Sequence, residues 1–175
     1  KANWWITCQN NWNSVCLAGV IGAALAIVES REERAWFIRT AEQYIRNFLK
    51  GFGPDGYCSE GVGYWNYGFG HFILLAENVH RATKGGLDWL DDEAVRRPAT
   101  FGARMEIMNG IYPAFADASV NVTPSPWLMD YLDRRLKLGL NGSPNTPPLP
   151  STTLFGCVLI ALPNAGMERH TPSRP

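Results

Sequence analysis

An excess of positive or negative charge is missing from this sequence: 16 Lys+Arg balance 16 Asp+Glu over 175 residues, and charged residues make up only 18%. A net charge of zero speaks against a nucleic-acid binder that works by neutralising phosphates. Intrinsic disorder is excluded by the 46% hydrophobic content. The apolar run at 15–28 (VCLAGVIGAALAIV) falls short of the ~18–20 residues that span a bilayer, so it reads as a buried helix and no membrane partner is expected. Cys8, Cys16, Cys58 and Cys157 form no CxxC pair and have no His at zinc-finger spacing. No metal and no cofactor are expected. Cys16 reads as core filler, and the even count permits disulfides without requiring them. Gly-rich phosphate loops, a GxSxG elbow and HExxH are also absent.

Aromatic residues are plentiful: 7 Trp, 6 Tyr and 8 Phe, with Trp4, Trp5 and Trp12 close to the start. Exposed Trp and Tyr rings match the C–H faces of pyranose sugars, and the same rings are ordinary core material. Lys1 is not a start methionine, and 168–175 is polar with two prolines, so the chain is expected to be part of something longer.

The pattern predicts about five helices. A small, apolar helix runs over 14–29, with Ser14 as its N-cap and Gly19 and Gly22 allowing a close neighbour. A second helix at 31–50 places Trp36, Phe37, Ala41, Tyr44, Ile45, Phe48 and Leu49 on one stripe. The short break between the two implies an antiparallel hairpin. After the Pro54-Asp55-Gly56 turn, a third helix is expected at 64–81, then a shorter segment at 92–109 interrupted at Pro98, a loop at 110–126 and a helix at 126–138. The Pro/Gly-rich stretch 139–153 has linker composition, and 154–162 is the one credible strand. Two regions are expected: 1–140, helical, and 141–175, linker and tail. No 33- or 34-residue repeat is present, which disfavours solenoids.

Four constellations carry chemistry. Asn10, Asn11 and Asn13 precede the apolar helix; Asn13 reads equally as a helix cap or as a neutral amide donor able to hold a carboxylate. The stretch 57–68 puts Tyr57, Tyr64, Tyr67, Trp65 and Glu60 at a loop-to-helix junction with more hydroxyls than packing requires. A tyrosine can move a proton once its surroundings tune it. His71 follows Tyr67 at i+4, on the same helical face, and reads as a base, a positioning group or a structural histidine. His80 and His170 carry less weight. Finally, Glu60 and Asp117 are candidates for the acid and base of a glycoside hydrolase.

Three segments in order, NNWNSVCLAG (10–19), PDGYCSEGVGYWNYG (54–68) and YPAFADAS (112–119), resemble the α/α-toroid domain of heparinase II/III-like polysaccharide lyases, a superfamily that includes heparan sulfate and oligoalginate lyases. The resemblance covers residues 10–119, and its middle motif is the most specific. It implies an all-α, incomplete α/α toroid built from antiparallel helical hairpins. It also implies β-elimination at a uronic acid, with an acidic polysaccharide or oligosaccharide as partner. The C5 proton is only weakly acidic until the carboxylate charge is offset, so a hydrogen-bonding clamp must accompany the base.

By this resemblance Tyr67 is the catalytic tyrosine, with Tyr64 as the second choice. Asn11 is the carboxylate clamp, followed by Asn13. Trp12 and Trp65 stack on sugars, Glu60 orients the cleft and His71 assists. Family members carry a His near the first-motif Asn, where this chain has Trp12, and a C-terminal β domain. A periplasmic or secreted bacterial protein is implied. An incomplete ring exposes apolar faces, which invites self-association. A neutral chain that holds acidic glycans needs its cations gathered locally, with Arg39, Arg96, Arg97 and Arg104 as candidates.

Overall fold

The first helix, α1 (Asn11–Ile27), is started by Asn10, whose side-chain oxygen accepts the Trp12 N–H. The expected cap, Ser14, lies one turn inside and is fully buried. The correction has a simple cause: Asn10, four residues upstream, already turns the extended chain into the helix, which frees Ser14 for a tertiary bond. A computed structural model describes residues 3–140, which are all-α. Among them there is no strand, only one isolated bridge between Met108 and Ile111. The expected strand at 154–162 lies outside the described residues.

Helix α2 (Arg31–Leu49) begins at Ser30, whose hydroxyl accepts the Glu33 N–H, with Glu32 and Glu33 favourably placed in its first turn. The break at 28–30 is short and α1 packs on α2, so the pair forms a helical hairpin. Ile38, Ala41, Ile45 and Phe48 form its buried stripe. Trp36 was expected on this stripe but is 64% exposed, its edge against Phe37.

A rod of three parts follows: α3 (Gly61–Tyr64), a π-turn (Trp65–Phe69) and α4 (Gly70–Ala82). The rod packs on α1 through both the π-turn and α4. Phe52, Phe69, Phe72 and Phe48 make a continuous aromatic chain, with centroids 5.8, 5.5 and 6.1 Å apart from one ring to the next. Burial of each ring contributes about 1.5–3 kcal/mol.

The segment beyond divides into α5 (Glu93–Ala99) and α6 (Phe101–Arg104). Asp92 caps α5 by accepting the Ala94 N–H. Pro98, expected to interrupt the helix, sits inside α5 and is buried; the break comes two residues later at Thr100, whose hydroxyl donates to the Arg97 carbonyl.

The chain divides into two units at Ser125/Pro126. Helix α7 (Pro126–Leu136), grouped by sequence with residues 1–140, therefore belongs to the second unit. It carries a bidentate i,i+4 pair between Arg134 and Asp130.

Within the first unit α1 is apolar on every side but is covered on only part of its circumference. Leu17, Ile21 and Ala24 are buried, whereas Val20 and Ile27 are exposed. Cys16, expected as core filler, is only half-buried. Cys8, Cys16 and Cys58 are free thiols.

Candidate functional site

The Asn-rich segment and the Tyr-rich segment meet where the π-turn crosses the start of α1. Gly68 makes the meeting possible: a Cβ there would lie 2.9 Å from the Asn11 Cβ and 3.2 Å from its Cα. No larger residue fits without moving one helix from the other.

A π-turn is wider than an α-helical turn, and two side chains add bonds to its carbonyls. Ser14 donates its hydroxyl to the Gly68 carbonyl at 2.8 Å, and His71 Nδ1 lies 2.6 Å from the Tyr67 carbonyl. Since a carbonyl only accepts, His71 carries a proton on Nδ1. The imidazole ring also meets the Tyr67 ring edge-on, centroids 4.7 Å apart. Tyr67 itself is 50% exposed. The fold thus holds a surface tyrosine against a histidine, on a rare turn type that recurs at functional sites. Tyr64 is half-buried at the end of α3.

Glu60 reaches the same place from the other side. Its carboxyl is pushed above the usual carboxylate value by burial; a hydrogen bond from the Asn11 backbone N–H pulls it back, and the neighbouring Asp117 charge adds to the rise. The loop bearing Asp117 is seated on Gly61, whose positive φ and tight fit against Ala118 and the Phe115 carbonyl leave no room for a side chain. Phe115 in turn stacks on Tyr57 with centroids 5.7 Å apart and planes 12° from parallel. Asn66 pins the continuation of that loop, donating to the Thr123 carbonyl and accepting the Ser125 N–H. All three motifs therefore come together within the first unit.

Not every expected residue belongs to the surface. Trp65 is wholly buried, its indole N–H donating to the Pro98 carbonyl at 2.8 Å, so it cannot stack on a sugar. Asn13 is wholly buried as well. It neither caps α1 nor faces solvent: its amide donates to the Trp5 and Ile6 carbonyls and binds the 3-10 turn Trp4–Thr7 to α1. Asn11 is 6% exposed and Trp12 is half exposed, edge-on to Trp4 at 5.7 Å. His80 lies elsewhere, with its Nδ1 near the Leu87 carbonyl and the Asp88 carboxylate.

Ser14, Asn66 and Phe115 were not picked out by sequence reasoning. Ser14 and Asn66 act on backbone groups of a π-turn and a loop, and no local pattern announces a π-turn. Arg97 and Arg104, two of the four arginines considered, do gather: both reach the Pro54-Asp55 turn.

No group of three His, Cys, Asp or Glu side chains among the described residues is placed to hold a metal ion. No described helix is long and apolar enough to cross a membrane. No protein-family model matches the chain, and no curated protein sequence matches it.

Proposed function

We propose that the first unit derives from an incomplete α/α toroid of the polysaccharide-lyase type and acts by β-elimination on glycans containing uronic acids, of the heparan sulfate or alginate class. The observation that carries this reading is the exposed Tyr67, held by the π-turn against His71, on a turn whose next residue, Gly68, packs against Asn11 at the start of α1. The helical hairpin and the rod packed on it are in keeping with a toroid segment.

In this mechanism a neutral donor must offset the C5 carboxylate of the sugar to make the neighbouring proton more acidic; Asn11, the residue expected for it, is buried at 6% exposure, so it serves only where the edge of its amide reaches the surface. Tyr67 takes or returns the proton at the reacting sugar, with Tyr64 as the second hydroxyl. His71 is a positioning residue that fixes the turn and the Tyr67 ring. The C5–H bond breaks, its electron pair forms the C4–C5 double bond, and the C4–O bond opens to a leaving oxygen that a tyrosine protonates. Glu60, whose carboxyl accepts the Asn11 N–H, orients the sugar. Trp12 is the remaining exposed ring for stacking.

One observation favours a second reading. Glu60, raised by burial and by Asp117, has the character of the general acid of an inverting glycoside hydrolase, with Asp117 as the base. Incubation with heparan sulfate, alginate and polyglucuronate separates the two. Elimination yields an unsaturated uronate with its own ultraviolet absorbance, whereas hydrolysis yields new reducing ends without it. Binding with neither product would make the unit a carbohydrate-binding or structural fragment.

The reading also places the protein in the bacterial periplasm or outside the cell. The exposed Val20, Ile27 and Trp36 support self-association, which sedimentation across a concentration series would reveal.

A further inference from the structure

Two arginines of this neutral chain meet on one turn. Arg97, near the end of α5, donates through Nη1 to the Pro54 carbonyl, and Arg104, at the end of α6, donates through Nη1 to the Asp55 carbonyl at 2.7 Å. Two guanidinium groups are therefore anchored to consecutive carbonyls of one turn. The turn itself is closed by Gly56 N–H donating to the Gly53 carbonyl at 2.8 Å, and the Asp55 carboxylate accepts the Tyr57 N–H at 3.1 Å. Gly56, at φ +86°, presses on the Arg97 carbonyl so closely that any Cβ would overlap it. Turn and helix cannot slide past one another. Together Pro54, Asp55, Arg97 and Arg104 line an open depression of ≈ 680 Å³.

A guanidinium has five N–H donors in a rigid plane, and a bond to one carbonyl engages one of them. Anchoring removes much of the side-chain entropy that an arginine ordinarily loses when it grips an anion. The lone carboxylate of the depression, Asp55, is engaged with the Tyr57 N–H, so two cations face one anion. A solvated arginine face would need neither the backbone anchors nor the glycine lock.

The Tyr57 ring leads from this turn to Phe115, and the Phe115 loop is seated on Gly61 beside Glu60. The depression is thus linked by direct contacts to the Tyr67 site while sharing no residue with it.

We propose that Arg97 and Arg104 form an oxyanion subsite that holds a sulfate ester or carboxylate of an acidic glycan, away from the sugar that reacts. The idea that the oxyanion belongs to a glycan rests on the function proposed above; the anion site itself does not. Charge-assisted, paired N–H···O bonds give such a subsite its grip.

The test begins with sodium sulfate titrated into the full chain, following the arginine side-chain N–H signals by NMR against sodium chloride at equal ionic strength. Saturable shifts confined to Arg97 and Arg104 are expected. Titrations with a sulfated heparin hexasaccharide and an unsulfated glucuronate hexasaccharide then distinguish the two sources of the oxyanion, by which of them binds the tighter. In calorimetry R97Q/R104Q should bind the preferred hexasaccharide about tenfold or more weakly, and R97K/R104K, which keeps the charge but loses the fork, should recover only part of that loss. Circular dichroism melts establish that each variant is folded.

If neither sulfate nor either hexasaccharide shifts the two arginines, the subsite does not exist. Sulfate shifts without glycan binding would keep the anion site and discard the glycan. Glycan binding that is equal in wild type and folded R97Q/R104Q would discard the subsite and leave the Tyr67 reading standing.

Discussion

The π-turn at Tyr67 and the turn at Pro54–Tyr57 are built alike and equipped differently. Each carries a tyrosine that faces solvent, and each is locked to a helix by a glycine that admits no Cβ: Gly68 against Asn11 of α1, Gly56 against Arg97 of α5. The first gathers neutral or acidic groups, namely Tyr67, His71, Asn11, Glu60 and Asp117. The second gathers two guanidiniums. The contrast fits the two roles proposed above: proton transfer needs groups that gain and lose charge, whereas holding an anion needs charge that never leaves.

The comparison can be broken from either side. The largest effect is expected from Tyr67→Phe, which should lower the elimination rate ~10²–10⁴-fold while leaving the melting temperature nearly unchanged, since the ring is half exposed. Steady-state kinetics together with a thermal melt read both. Trp65→Ala, at a wholly buried position, should destabilise the fold by ~3–5 kcal/mol in urea unfolding. A small loss there would mean that the rod is not anchored through Pro98.

Next in size is Gly56→Ala, which forces a side chain into a positive φ and into the Arg97 carbonyl. A cost of ~1–3 kcal/mol is expected in the same unfolding measurement, together with weaker binding of sulfated oligosaccharide. Gly68→Ala should instead lower the elimination rate first, read in the same kinetics, because a Cβ there pushes the π-turn that bears Tyr67 off the start of α1.

The smallest effect concerns pH. Burial and Asp117 raise the Glu60 carboxyl in the folded chain, so the folded state binds a proton more tightly than the unfolded state does. Its stabilising contribution is present below the unfolded value and fades as pH rises through the folded one; stability therefore falls with rising pH from about the usual 4.5 upward. Melts of Glu60→Gln across that range should show a flatter dependence than wild type. An unchanged slope would mean that Glu60 is not buried as described.

Much of the helical framework was legible in the sequence because period and turn chemistry are local. The α2 stripe, the 28–30 break and the Pro54-Asp55-Gly56 turn follow from residue type alone. The π-turn was not legible, since it is a backbone widening that no residue pattern announces, and one of its side-chain contacts, Ser14 to the Gly68 carbonyl, comes from another helix. Trp65 and Asn13 show the same limit at the site. Motif membership suggested surface roles for both, but their polar atoms were taken by Pro98, Trp5 and Ile6, backbone carbonyls no pattern could pair in advance. Trp36 erred in the opposite direction, since a stripe is buried only where a neighbouring helix covers it.

The measurement that bears most directly on Tyr67 as a proton-transfer residue is cleavage of uronic-acid glycans in heavy-oxygen water, wild type beside Tyr67→Phe, read by mass spectrometry. Elimination breaks the C4–O bond without adding water. The account predicts unsaturated products free of heavy oxygen, formed by wild type and nearly lost in Tyr67→Phe. Products carrying one heavy oxygen at the new reducing end, formed equally well by Tyr67→Phe, would contradict it and point to hydrolysis through Glu60 and Asp117.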